Sequence, residues 1–191
     1  MGDVHPYGNP HFWFTPENVK TAVSNITDGL VRVAPEHRDY FLERQASYDR
    51  EIEEAFNRSR EALRPFLGTK ILQYHESWSY FCEAMGLEVA GSVEPKPGIP
   101  PSGAQLARLV RQIKDEHVPL LLVEPYYPEK PVRFLQSHTG IRPLRLHLLL
   151  CGAEEHISYL QNLEAMVDEI VAALSEQRGA KRDAGSDLNP E

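Results

Sequence analysis

Three polar side chains stand at or near the ends of short apolar runs that the sequence predicts to be strands. His75 follows one such run, Glu124 follows a second, and His147 lies within or at the end of a third. In an open parallel sheet, ligands collect outside the carboxyl ends of the strands. Imidazole and carboxylate groups suit zinc, and both also occur around manganese. If the three strands are neighbours, these residues predict a metal site at one edge of the sheet.

His11 is a fourth candidate ligand and lies in the first fifteen residues, which show no helical or strand periodicity. Pro10 precedes it, and a helix that Thr15 is predicted to cap follows it closely. The fixed backbone torsion of the proline reduces the freedom that the imidazole would lose on binding a metal. His5 is near enough in sequence to be a reserve ligand.

Each candidate also has an ordinary structural interpretation. A histidine after a strand is frequently a satisfied polar residue at a strand–loop junction. Glu124 precedes Pro125, which is equally typical of a residue that closes a turn. For His147 the alternative is a half-buried position inside a leucine-rich strand. The position of each residue in the fold must therefore decide whether it is a metal ligand or a structural residue.

Other chemistries find less support in the chain. Gly86, Gly91 and Gly98 are too far apart for a phosphate-binding loop, and the run from His75 to Trp78 is not a His-Glu-x-x-His motif. A nucleophile elbow is also absent. The formal net charge of −8 disfavours a nucleic-acid or anionic-membrane surface, because both would repel the chain. No basic region followed by an apolar stretch indicates a secretion signal.

The elements that must position these candidates divide the chain into two parts. The first part contains two helices, at 15–33 and from Pro35 to about residue 65, and the second of these is long enough to serve as a strut. After Gly68, strands are predicted at 70–74, 87–90, 119–123 and 144–150, and helices at 77–85, 102–117, 130–139 and 155–174. Alternation of this kind predicts an α/β fold with a four-stranded, mainly parallel sheet flanked by helices.

Several motifs of the chain resemble those of the zinc/manganese ABC-transporter solute-binding proteins. Residues 3–18 (DVHPYGNPHFWFTPEN) resemble the family's Asn/Asp-Pro-His-x-Trp-x-x-Pro-x-Asn segment. The similarity extends over 75–81 (HESWSYF), 86–89 (GLEV), 93–102 (VEPKPGIPPS) and 123–127 (VEPYY). These motifs appear in the family's order and cover nearly the whole chain to about Leu174.

The resemblance implies two lobes joined by one long helix, with the metal held between them. In those terms 1–35 is a remnant of an N-terminal lobe, 36–67 the linking helix, 68–175 the C-terminal α/β lobe and 176–191 a disordered tail. An N-terminal lobe reduced to this remnant would leave Phe12, Trp13 and Phe14 exposed.

The resemblance also implies the ligands. The family's ligand after Asn-Pro corresponds to His11, and its ligand after the first strand of the second lobe corresponds to His75. The fourth ligand is commonly an aspartate in a Leu-Asp-Pro-Leu turn, where this chain has His147; either His147 substitutes for it, or Glu124, His5 or a water completes the shell. The family's first ligand has no counterpart here.

The implied function is binding of Zn²⁺, with Mn²⁺ as the alternative, for delivery to the membrane permease of an ABC transporter. The implied location is periplasmic or extracytoplasmic and membrane-associated, in a family that includes cell-adhesion lipoproteins. An imidazole-rich shell favours zinc over manganese. Two alternatives stay open: a truncated fragment that binds no metal tightly, and a small metal-dependent hydrolase with Glu76 or Glu124 as general base. The chain is interpreted as a binding protein and not as an enzyme.

Overall fold

The computed structural model describes residues 8–94, 96, 98–148 and 158–186, with side chains up to 179. Its helices are α1 (Pro16–Val33), α2 (Arg38–Leu63), α3 (Ser79–Met85), α4 (Gly103–Glu116), α5 (Glu129–Thr139) and α6 (Tyr159–Ser186). Its strands are β1 (Lys70–Gln73), β2 (Glu88–Ser92), β3 (Leu120–Val123) and β4 (Arg142–Arg145). The alternation after Gly68 is the predicted one.

The four strands form one parallel sheet in the order β2-β1-β3-β4. All four residues of β3 are buried, as expected for a central strand that is covered on both faces. Alternate residues of this strand enter separate cores, Leu120 and Leu122 on one face and Leu121 and Val123 on the other. The predicted α/β fold with a four-stranded parallel sheet flanked by helices is confirmed.

The last strand lies earlier in the chain than the leucine run 144–150 predicted. β4 is Arg142–Arg145, and Leu146 and Leu148 are buried after the strand has ended. Pro143 has no N–H to donate and is accommodated because β4 is an edge strand. Residues 149–157 lie outside the described part of the chain. His147 is thus placed beyond the strand and not within it.

The helices cover both faces of the sheet. Residues of α2, α3 and α6 pack with Phe14 into the larger core, whereas α4 and α5 supply the smaller one. Ser102 begins α4, and its Oγ accepts a hydrogen bond from the N–H of Gln105 at 3.2 Å. Ser102 is thus the N-cap of α4, at the position where the sequence predicts this helix to begin.

The helices α1 and α2 pack against each other, and only one half of α2 enters the core. Thr15 caps α1, since its Oγ1 accepts a hydrogen bond from the N–H of Asn18 at 3.3 Å, and Pro16 occupies the first helical position. The buried residues of α2 begin at Ile52, in the second half of the helix. Tyr40, in the first half of α2, is 61% exposed. The division into a lobe remnant, a linking helix and a C-terminal lobe stays a prediction.

Phe14 corrects the expectation that the aromatic residues after His11 are exposed. Phe14 is 1% exposed and Trp13 is half-buried, and only Phe12, at 44%, faces solvent. The ring of Phe14 stacks on Trp78 at 6.2 Å and meets Phe81 edge-on at 5.7 Å. Trp78, which precedes α3, and Phe81 within it therefore provide a pocket for this segment.

The final helix also corrects the prediction of a disordered tail from 176 onward. α6 continues to Ser186, because Glu176, Gln177 and Arg178 are good helix formers despite the polar composition of this segment. Glu176 forms an ion pair with Arg142 of β4, and the Arg178 guanidinium lies 4.4 Å from the centroid of the Phe66 ring. Residues 187–191 lie outside the described part.

Among the described helices, none combines the length and the apolar composition needed to cross a bilayer.

Candidate metal centre

His11 and His75 come together although they are 64 positions apart in the sequence. Their ring centroids are 5.4 Å apart, with the ring planes at 76°. His75 lies immediately beyond the carboxyl end of β1, and His11 precedes the short 3-10 helix Phe12–Phe14, whose Phe14 is anchored in the core. The core contact of Phe14 therefore holds the first segment against the end of the sheet.

Asn9 orients His11. Its Oδ1 accepts two hydrogen bonds, one from the His11 backbone N–H at 3.0 Å and one from the ring Nδ1–H at 2.7 Å. Its Nδ2 donates to the backbone carbonyl of Glu76 at 2.6 Å. One amide thus fixes the ring of His11 and joins its segment to the loop that carries His75. Because Nδ1 donates to Asn9, Nε2 is the ring nitrogen of His11 that can accept a metal.

His75 is held by a carboxylate. Its Nδ1 lies 2.8 Å from Oε2 of Glu94, and the two side chains are only 12% and 9% exposed. Tyr127 flanks the imidazole at 6.1 Å between ring centroids and stacks on Tyr74 at 4.3 Å. Burial, followed by the negative charges of Glu124 and Glu94, raises the pKa of Tyr127, so this phenol stays neutral beside the histidine.

Glu124 lies at the carboxyl end of β3 and is fully buried. Oε1 accepts a short hydrogen bond from the hydroxyl of Ser77, while Oε2 has no partner among the described residues. Burial raises the pKa of this carboxyl, against the opposing effects of the Ser77 bond and of His75. The carbonyl of Glu124 also accepts from the N–H of Tyr127 at 3.1 Å, so its backbone closes the predicted turn.

His147 follows β4 at the same edge of the sheet, but its side chain is exposed. Its backbone carbonyl accepts a hydrogen bond from Nδ2 of Asn162 at 3.1 Å, which ties this residue to α6. Across the described residues, no three His, Cys, Asp or Glu side chains form a group able to hold a metal ion. The role of His147 as a ligand stays a prediction, and His5 lies outside the described residues.

Three residues of this centre were not singled out from the sequence: Asn9, Ser77 and Glu94. Asn9 had a local signal, because it lies two positions before the candidate ligand. Glu94 would have been found if the second strand had been predicted to run to Ser92 and not to Ala90, since Glu94 then follows a strand as Glu124 does. Ser77 carries no comparable signal.

Comparisons with known proteins bear on the chain as a whole. The family model of the periplasmic zinc-uptake complex component A, ZnuA, matches residues 2–173. A high-affinity zinc uptake system protein from Haemophilus ducreyi is 27% identical over 169 residues, which are 87% of this chain and 54% of that protein. The chain thus spans about half the length of this curated relative.

Solved structures share the fold. The laminin-binding protein Lmb of Streptococcus agalactiae, described as an adhesin with metal-transporting activity, superposes with a TM-score of 0.79 at 21% identity, covering 91% of this chain and 68% of that one. The solute-binding protein FpvC of Pseudomonas aeruginosa, solved with Mn²⁺, has a TM-score of 0.74 at 23% identity, covering 88% and 64%.

Proposed function

Because the chain belongs to the family of the zinc-uptake component ZnuA, we propose that it binds zinc, in preference to manganese, for delivery to an ABC permease. The family consists of solute-binding proteins and not of enzymes. Zinc is thus the cargo of this chain, and its site must both hold the ion and release it.

The observation that carries the proposal is the His11–His75 pair. Two imidazoles with centroids 5.4 Å apart are held by separate hydrogen bonds, to Asn9 and to Glu94. Both rings engage a neighbour through Nδ1, and for His75 this makes Nε2 the nitrogen that can face a metal. Neutral imidazole is a preferred zinc ligand, whereas sites for manganese are richer in carboxylate. This donor set supports zinc as the preferred ion.

We propose His147 as the third protein ligand. It follows the carboxyl end of β4, at the edge of the sheet where His75 follows β1, and its carbonyl is anchored by Asn162. An exposed imidazole on an anchored backbone can turn toward a bound ion at little cost. His5, Glu124 or water would supply the remaining position.

A periplasmic location and a permease partner are proposed from the family. The matching model describes a periplasmic component of a zinc-uptake complex, and the relative from Haemophilus ducreyi is named for high-affinity zinc uptake. The net charge of −8 is compatible with a cation carrier and disfavours nucleic acid as a partner.

The test is a titration of the metal-free chain with Zn²⁺ and with Mn²⁺, in competition with a chromophoric chelator. Zinc should bind more tightly than manganese, and His11→Ala and His75→Ala should each lower the zinc affinity by at least tenfold. His147→Ala should lower it as well. His138→Ala is the matched control, since His138 is exposed on α5 and contacts Phe134.

Two results would contradict the proposal. Equal zinc affinity of the wild type and His75→Ala would show that the His11–His75 pair does not bind the ion. Absence of zinc binding by the wild-type chain would favour the interpretation of a fragment that binds no metal tightly. If only His147→Ala matched the His138→Ala control, the two-histidine site would stand and its third ligand would have to come from elsewhere.

A further inference from the structure

Glu94 is the residue of the metal centre that neither the sequence motifs nor the fold assigns to a role. It lies just beyond β2, the strand that neighbours β1. Its backbone N–H donates to the carbonyl of Tyr74 at 2.9 Å, and the N–H of Val93 donates to Gln73 at 2.9 Å. Backbone hydrogen bonding between these two segments thus continues past the ends of β1 and β2. This backbone pairing fixes Glu94 beside His75.

Both oxygens of the Glu94 carboxylate are engaged. Oε2 meets Nδ1 of His75 at 2.8 Å, and Oε1 accepts a hydrogen bond from the N–H of Gly98 at 2.9 Å. Gly98 has a φ of +74°, a backbone conformation that residues other than glycine rarely adopt. Gly98 therefore holds one oxygen of the carboxylate while His75 holds the other. The carboxylate is fixed in orientation as well as in position.

A carboxylate oxygen at Nδ1 determines which nitrogen of the imidazole carries the proton. An ionised carboxylate only accepts hydrogen bonds, so Nδ1 must donate, and the lone pair of the neutral ring then resides on Nε2. Outer carboxylates of this kind orient metal-binding histidines and raise their basicity. The ring of Tyr127 flanks the same imidazole, with the centroids 6.1 Å apart.

We propose that Glu94 is the positioning residue of the metal centre: it holds His75 as the Nδ1–H tautomer with Nε2 presented to the ion. The expected effect on zinc affinity rests on the proposed function, whereas the expected tautomer of His75 in metal-free protein does not. Glu94 is assigned as a positioning residue and not as a ligand, because each of its two oxygens is already held by a partner, His75 and Gly98.

The geometry is tested first on metal-free protein. Two-bond ¹H–¹⁵N correlation spectra at a pH where His75 is neutral should show the Nδ1–H tautomer in the wild type. Glu94→Gln should retain this tautomer, since the amide oxygen can still accept the bond. Glu94→Ala should lose the fixed tautomer. An unchanged His75 spectrum in Glu94→Ala would overturn the proposal whatever the protein does with zinc.

The consequence is tested by zinc titration of the same variants. Glu94→Ala should bind zinc about 10- to 100-fold more weakly, the usual effect of losing an outer partner of a metal ligand. Glu94→Gln should lie between Glu94→Ala and the wild type, because it keeps the bond but loses the charge. Glu83→Gln, the same substitution at an exposed position of α3, should match the wild type. A Glu94→Ala affinity equal to that of Glu83→Gln would contradict the positioning role.

X-ray absorption of the zinc-loaded wild type and Glu94→Gln separates positioning from direct ligation. The same number of oxygen and nitrogen neighbours in both proteins is expected. Loss of an oxygen neighbour in the variant would make Glu94 a ligand and overturn the inference. Failure of the wild type to bind zinc would instead refute the proposed function, while the tautomer of His75 in metal-free protein would still decide the role of Glu94.

Discussion

The segment that carries His11 and the loop that carries His75 hold the same side chain in different ways. His11 is oriented by a neutral amide two residues earlier in its own segment. His75 is oriented by a carboxylate 19 residues later, which a neighbouring strand delivers. The first arrangement is local and depends on one residue. The second exists only when β1 and β2 pair.

Because of this difference, we expect zinc affinity to respond differently to loss of the group that orients His11 and to loss of the group that orients His75. A neutral hydrogen bond orients a ring, whereas a bond to a carboxylate also increases the basicity of the imidazole, since charge-assisted bonds are the stronger ones. The two regions are nevertheless coupled, because Asn9 reaches the carbonyl of Glu76 and Phe14 packs on Trp78. Phe14→Ala and Asn9→Ala test how far the two regions are independent, and Glu124→Gln tests the buried carboxyl that bonds Ser77 in the His75 loop.

Phe14→Ala should have the largest effect, because Phe14 anchors the His11 segment in the core beside the His75 loop. Removing a buried phenylalanine costs about 3–5 kcal/mol of unfolding free energy. Urea unfolding followed by tryptophan fluorescence measures this cost, and the zinc affinity should fall as His11 loses its anchor.

The matched control is Phe12→Ala, two positions earlier and 44% exposed. It should cost less than about 1 kcal/mol, as surface substitutions generally do. Equal costs for the two variants would show that the first segment is not docked through Phe14.

Asn9→Ala should have an intermediate effect. It removes both bonds to His11 and the tie to Glu76, and we expect about a tenfold loss of zinc affinity, the low end for an outer partner. Chelator competition measures this loss beside that of Glu94→Ala. Asn9→Asp separates the two roles of Asn9, since it keeps the acceptor for His11 but has no N–H for the Glu76 carbonyl. If Asn9→Ala binds zinc like the wild type, backbone restriction by Pro10 alone suffices for His11.

Glu124→Gln should have the smallest effect and should appear as a change in pH dependence. Burial raises the pKa of Glu124 in the folded chain above the ordinary value of about 4.5. At pH values between the ordinary pKa of the unfolded state and the raised pKa of the folded state, the folded chain holds a proton that the unfolded chain has lost. The wild type therefore loses stability as the pH rises through this window.

Glutamine does not titrate, so the stability of Glu124→Gln minus that of the wild type should increase with pH from about 4.5 and then level off. The slope for one proton is at most about 1.4 kcal/mol per pH unit. Urea unfolding of metal-free protein across this range provides the measurement. A difference that is flat or falls with pH would contradict a raised pKa.

The sequence predicted most elements well where pattern and chemistry agree. The capped start of α1, the start of α4, the fully apolar β3 and the parallel direction of the strands follow from caps, apolar runs and the alternation of strands with helices. It misplaced β4, because Arg142 and Pro143 do not have the composition of a strand, whereas the leucines that follow do. It also ended α6 too early, because the contacts of Glu176 and Arg178 that anchor the helix are tertiary.

The sequence by itself predicted the types of candidate metal ligand and two of their positions. His11 and His75 were recognisable because each stands in a short motif whose neighbours are local, and the sheet edge predicted for His75 is where β1 ends. The family was recognisable for the same reason, and the comparison with the ZnuA family model bears it out.

Only the tertiary structure decided which groups hold those ligands. Glu94 reaches His75 because β1 and β2 pair in parallel, and Ser77 meets Glu124 because β1 and β3 do. Phe14 is buried because Trp78 and Phe81 pack against it. Such contacts join residues distant in sequence, and local periodicity carries no information about which distant side chains will meet.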